Sequence, residues 1–185
     1  MPFIFLMLFM VFVVLVSTSA LPYAWPFKLL CQRWPKWDRF GGKLFRDGVS
    51  VLMETLPFFR EEYRFNFPEG FGMDGQPYMI ICNHRSTLDV YFLLARVPNI
   101  RILAKRTLWR VPFLNANMIV YRHIPVDDKS VEAYGRAMEV ARRGFAHGDV
   151  ICFFPENTRC VPGHRGFQRF HAMPFHTAFH DNVPI

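Results

Sequence analysis

No two cysteines of the 185-residue sequence form a C-x-x-C pair; Cys31, Cys82, Cys152 and Cys160 are scattered along it. That spacing argues against a structural zinc site and for a reducing compartment. Cys82 and Cys152 fall inside apolar runs and read as small buried hydrophobes. H-E-x-x-H is missing too. His176 and His180 stand at i and i+4, a spacing that puts two ligands on one helix face, but no acidic third ligand accompanies them. They read as surface or interfacial histidines, and no metal is expected. Nothing has the pattern of a nucleic-acid-binding module. No charged residue precedes Lys28, which sets the first segment apart.

What is present is apolar and basic. Half of the residues are hydrophobic, 21 of them Phe, which suggests contact with membrane or acyl chains. A net charge of +7 suits nucleic acid, anionic lipid or a phosphorylated substrate, and the apolar start favours lipid. Phe3 to Val16 is solidly apolar; Ser17 to Ala20 weakens the run, and Leu21 to Trp25 resumes it. About twenty apolar residues cross a bilayer, so this is a marginal span or a helix that enters and returns. A cleaved signal peptide is the rival reading, given the small residues Ser17 to Ala20, but no Lys or Arg precedes the apolar core. Lys28, Arg33, Lys36, Arg39, Lys43 and Arg46 then outnumber Asp38 and Asp47, which predicts that the rest of the chain is cytoplasmic. Residues 1–37 therefore read as a membrane anchor with its juxtamembrane segment. Residues 38–185 read as one domain, large enough for a real core.

The domain is organised around Pro77 to Val97. Tyr78 to Cys82 is a short apolar run after the turn signal Asp74-Gly75-Gln76-Pro77 and reads as a buried strand. The polar Asn83-His84-Arg85 follows, and Ser86 to Arg96 carries apolar residues at helical spacing. Upstream, residues 37–58 read as an amphipathic helix with Phe40, Leu44, Val49, Val51, Leu52 and Leu56 available for burial, and 63–67 as an edge strand. Downstream, Arg101 to Lys105, Met118 to Arg122 and Val150 to Phe154 read as strands. Ser130 to His147 reads as a helix, capped by Asp127, Asp128 or Ser130 and ended by Gly148, with Val131, Met138 and Val140 on its apolar side.

In α/β sheets ligands bind at the carboxyl ends of strands, which singles out the turn after Cys82. His84 and Asp89 are five residues apart at a helix start. A carboxylate reaching back to one imidazole nitrogen fixes the tautomer and leaves the other nitrogen basic, able to deprotonate a hydroxyl without a nucleophilic side chain. The competing reading is structural: Ser86-x-x-Asp89 fits a helix capping box, and Asp is favourable at a helix N-terminus. The residues alone leave both open.

NHRSTLD resembles the N-H-x-S-x-x-D block of the glycerolipid acyltransferases, the family that includes 1-acylglycerol-3-phosphate acyltransferases, and later stretches resemble its other blocks in order. Lys105 follows a strand ahead of Pro112. Met118-Ile119-Val120-Tyr121-Arg122 resembles the second block, whose arginine holds the acceptor phosphate; Asn115-Ala116-Asn117 stands where the family has a glycine turn. Pro155-Glu156-Asn157-Thr158-Arg159 resembles the third, F-P-E-G-T-R, with Asn157 replacing glycine. Asn is the least damaging substitute where backbone is left-handed. Ala172 and Met173 replace a lysine-glycine pair. Val183-Pro184-Ile185 resembles the start of the fourth block, so a chain truncated at its C-terminal part is expected.

The resemblance implies an α/β fold with a mixed sheet flanked by helices. It implies an enzyme that moves a fatty acyl group from acyl-CoA or acyl carrier protein (acyl-ACP) to 1-acylglycerol-3-phosphate, forming phosphatidic acid. No cofactor is expected beyond that co-substrate. His84 would be the base and Asp89 its support. Lys105, Arg122, Glu156, Asn157, Thr158 and Arg159 would bind the acceptor, the arginines clamping phosphate. Membrane phospholipid and lysophospholipid would be partners, and nucleic acid would not. Arg85, in the variable slot of the first block, also suits a glycerol-3-phosphate or other lysophospholipid acceptor. A catalytically silent lipid-binding protein on the same fold is the alternative; a di-iron desaturase would need more histidine clusters than the pair His176 and His180.

Overall fold

The computed structural model describes residues 46–51, 67–86, 88–111, 114–127, 130–159, 166 and 168–185, with residues 7, 11, 26, 29 and 43 singly. In chain order the elements are β1 (Tyr78–Ile81), α1 (Leu88–Arg96), β2 (Ile100–Lys105), a 3-10 turn (Arg106–Arg110), α2 (Leu114–Val120), β3 (Ile124–Val126), α3 (Val131–Phe145), β4 (Val150–Phe153) and α4 (Met173–His180). The strands lie in the order β1-β4-β2-β3. Every pairing among them is parallel, where a mixed sheet was expected.

Strand β4 is the centre, with Val150 to Phe153 all buried. A strand covered on both faces needs no polar alternation, which is why V-I-C-F-F is apolar throughout. Its side chains divide by parity. Ile151 and Phe153 join Met79, Val126 and the inner side of α3, with Ala178 of α4. Val150, Cys152 and Phe154 join Ile100, Ile102 and Leu94 of α1 on the other face. The chain thus leaves β1 towards one face and β4 towards the other, although the two strands are neighbours. In open α/β sheets such a divergence of neighbouring strands marks the carboxyl end where ligands bind.

Helix α3 keeps its expected start and stop. Ser130 is the N-cap, its hydroxyl accepting from the Ala133 amide at 3.0 Å, and Gly148 is left-handed at φ +75°. A Cβ on Gly148 would collide with the backbone of Gly75, so glycine is required for closeness as well as conformation. The buried face is Tyr134, Ala137, Met138, Ala141, Gly144 and Phe145. Of the three apolar residues expected there only Met138 is buried, and Val131 and Val140 are exposed. In the helical segment 46–51, Val49 is 2% exposed and Val51 60%; two residues apart, they point to opposite sides.

The third strand is displaced from its expected place. Residues 114–120 are helical, and β3 begins only at Ile124. An apolar run as short as Met118 to Val120 satisfies either period. The expected glycine-like turn at Asn115-Ala116-Asn117 lies inside α2; the left-handed residue is Arg122, at φ +54°. Just before β3, His123 stands in for a strand backbone, its Nδ1 accepting the Ile102 amide at 3.1 Å. Below it Arg101 and Asp149 form a buried ion pair at 3.0 Å, and Arg101 Nε donates to the Arg122 carbonyl at 2.7 Å.

The outer edge of β1 is met by residues 183–185, the Met79 amide donating to the Pro184 carbonyl at 2.8 Å. Among the described residues no helix is long and apolar enough to cross a membrane. The expected anchor, residues 1–37, lies outside the described residues save for residues 7, 11, 26 and 29, as do most of the expected helix at 37–58 and all but Phe67 of the expected strand at 63–67.

Candidate active site

Three adjacent strands, β1, β4 and β2, deliver the candidate residues to one end of the sheet. The turn after β1 carries His84 and Asp89. His84 Nδ1 lies 3.1 Å from Asp89 Oδ2, and that oxygen also accepts the amides of Arg85 and Ser86, each at 2.8 Å. The Ser86 hydroxyl accepts the Leu88 amide at 3.2 Å. The two readings of this stretch are therefore one arrangement. Asp89 closes the helix start as a capping residue does and, with the same carboxylate, holds the histidine. A carboxylate accepts, so Nδ1 is the donor in this contact and Nε2 is the ring nitrogen left outside it.

The turn after β4 supplies the floor. The ring of Phe154 lies 4.3 Å from that of His84, centroid to centroid, with 30° between planes. Phe154 was read only as the last apolar residue of a strand; nothing in the sequence indicates that the β1–β4 register sets it under the histidine. Beyond it, Asn157 is left-handed at φ +50° and donates its amide to the Phe154 carbonyl at 3.0 Å. That is the conformation expected where the family carries glycine. Glu156 is buried and its Oε2 accepts the Gln168 amide at 3.0 Å, so it fastens the returning loop. The Asn157 side-chain nitrogen is buried without a partner among the described residues. Thr158 and Arg159 are exposed. Lys105, also exposed, ends β2, and continuing the β2–β4 register sets it level with Pro155.

One predicted residue does not join them. Arg122 precedes β3 instead of ending a strand, and stands level with Arg101, near the amino ends of β2 and β3. The residue after β3 is Asp127, so an acid takes the strand-end position where arginine was expected.

The parallel α/β sheet thus brings a histidine held by a carboxylate to its carboxyl end. The chain belongs to the Acyltransferase family, whose model matches residues 59–185. It is 28% identical over 167 residues to a chloroplastic 1-acyl-sn-glycerol-3-phosphate acyltransferase of Brassica napus, covering 86% of this chain and 44% of the relative. It is 29% identical over 116 residues to the 1-acyl-sn-glycerol-3-phosphate acyltransferase of Saccharomyces cerevisiae, covering 60% and 37%. The chain thus spans less than half the length of these curated relatives. Among solved structures, the 1-acyl-sn-glycerophosphate (LPA) acyltransferase PlsC of Thermotoga maritima superposes with a TM-score of 0.59, covering 94% of this chain and 70% of that one, at 17% identity; the two share the fold.

Proposed function

We propose that this chain carries the catalytic half of a 1-acylglycerol-3-phosphate acyltransferase, using acyl-CoA or acyl-ACP as donor and forming phosphatidic acid. The observation that carries the reading is the Asp89 carboxylate, fixed by two backbone amides and holding His84 Nδ1. His84 Nε2 takes the proton from the acceptor hydroxyl, and the oxygen attacks the thioester carbonyl as Asp89 supports the imidazolium. The tetrahedral intermediate expels the thiolate, which leaves with the proton from His84. No acyl-enzyme forms. Lys105 and Arg159 bind the acceptor phosphate, with Thr158 beside them, while Glu156 and Asn157 shape the turn. The names of the relatives support this acceptor. Residues 1–37 anchor the enzyme, the domain faces the cytoplasm, and the acyl chains stay partly in the bilayer.

The test is thiol release from an acyl-CoA in micelles or membranes carrying the protein, with and without lysophosphatidic acid. Acceptor-dependent release is expected, and His84→Ala should lower it by about 10²–10⁴-fold. Full activity in that variant would sink the mechanism. Tight binding of phosphatidic acid without turnover would select a lipid-binding protein instead.

A further inference from the structure

The carboxyl end of the sheet carries more cations than one phosphate needs. The proposed acyl transfer uses Lys105 and Arg159. Beyond them, Arg85 follows β1, Arg106 and Arg110 bound the 3-10 turn after β2, and Arg169 stands in the loop that returns to the end of β4. That loop is placed by two bonds, from the Gln168 amide to Glu156 Oε2 at 3.0 Å and from the His171 amide to the Pro155 carbonyl at 2.9 Å. All four arginines are exposed. The acids of this end are mostly withdrawn. Glu156 is buried, Asp89 and Asp127 are half-buried, and among the described residues Glu132, at the start of α3, is the exposed one. The amino end of the sheet is mixed, with Glu69, Asp74, Arg96 and Arg122 all exposed. The ends of β1, β4 and β2 span about 10 Å at the usual spacing of neighbouring strands. The screening length at physiological salt is about 8 Å, so these cations act on a partner together.

Two of the arginines have an apolar neighbour in the open. Val111, next to Arg110, is 40% exposed, and Phe170, next to Arg169, is 44% exposed. An acidic protein would neutralise the cations and leave these side chains in water. A lipid surface takes both, the cations at its phosphates and the apolar side chains at the acyl boundary. We propose that this end of the sheet, with Arg106, Arg110, Val111, Arg169 and Phe170, is the face that docks onto an anionic bilayer. An anchor at residues 1–37 would hold the chain to a membrane without deciding which face turns towards it; the basic end decides. The consequence for turnover rests on the acyl-transfer reading: docking sets the His84 turn against the leaflet, so the acceptor meets the base with its acyl chain still in lipid. The docking itself does not rest on that reading.

The experiment uses the full chain in vesicles of bromine-labelled phosphatidylcholine, with and without phosphatidylglycerol. Trp25, Trp34, Trp37 and Trp109 are replaced by Phe, and one tryptophan is introduced as a probe. Phe170→Trp reads the proposed face. Met73→Trp reads the other end, since Met73 is 66% exposed and follows Gly72, whose carbonyl accepts from the Asn99 side chain at 2.7 Å, just before β2. Bromine should quench Phe170→Trp in vesicles with phosphatidylglycerol and leave Met73→Trp bright, and the quenching should be lost in high salt or in phosphatidylcholine alone. Adding Arg106→Gln and Arg110→Gln should lower the ratio of docked to free face, read from the quenched fraction, about fivefold for each arginine removed. Val111→Trp is a second probe of the same face and must report the same, which keeps the test open if Phe170→Trp fails to fold. Equal quenching at the two ends, none at either, or quenching indifferent to phosphatidylglycerol overturns the proposal. No quenching together with a raised KM for acyl-ACP, but not for acyl-CoA, in the double arginine variant gives the surface to an acidic protein instead. Quenching needs no turnover, so a docked chain without acyl transfer counts against the acyl-transfer reading alone.

Discussion

Asp89 joins two jobs in one oxygen atom, which accepts the Arg85 and Ser86 amides and holds the His84 ring. Substitution separates them. Asn in place of Asp89 still offers a carbonyl to the amides, so Asp89→Asn should fold with its helix start intact, yet it lacks the charge that supports the imidazolium. Its kcat should fall by roughly 10²–10⁴-fold while the denaturation midpoint moves little. Ser86→Ala should do the converse, losing about 1 kcal/mol in chemical denaturation with kcat unchanged. A collapse of both quantities in either variant would mean that the jobs are inseparable. Both roles were visible in NHRSTLD because they depend on spacing within one turn. Phe154, nearly as close to the histidine, was not visible there. Its placement comes from a strand register, which joins residues far apart in sequence and leaves no local mark. The same holds for the Arg101–Asp149 pair.

Among the elements, β1, β2, β4, α1 and α3 stand within a residue or two of where turn signals, apolar runs and caps put them. Among the described residues the misplaced element lies at 114–126, where a run of three apolar residues fits a helix as well as a strand. Tertiary context decides, since the Ile102 amide is already taken by the His123 ring and the ladder with β2 begins one residue later, at Leu103 and Ile124. The shift moves Arg122 from the end of a strand to the turn before one, and its consequence is measurable. Arg122→Ala should leave KM for the acceptor unchanged, whereas Arg159→Ala should raise it about 10–100-fold, the effect of losing a charged hydrogen bond. Equal rises in the two variants would return Arg122 to the phosphate site.

For the whole molecule, His123 links folding to pH. Burial, with the nearby Arg101 guanidinium second, pushes its pKa down to about 3, whereas in the unfolded chain it titrates near 6.5. Between those values the unfolded state binds the extra proton. Stability is therefore complete above pH 6.5 and falls as pH drops through it, by about 1.3 kcal/mol between pH 7 and 5.5 from this group. Urea unfolding at the two pH values checks the slope, and His123→Asn, which keeps an acceptor for the Ile102 amide, should remove that part of it. An unchanged slope would mean that the imidazole charges in the folded state. The sheet order has a kinetic consequence as well. Among the described strands β4 follows the other three in the chain yet lies between β1 and β2 in space, so β1 and β2 leave the ribosome early and wait, each with an unpaired apolar edge, for the partner that joins them. Folding of such non-local pairings is slow, and the waiting edges are the surfaces on which nascent chains stick to one another. Production of this protein should therefore be limited by chaperone supply and synthesis rate more than by the stability of the finished domain.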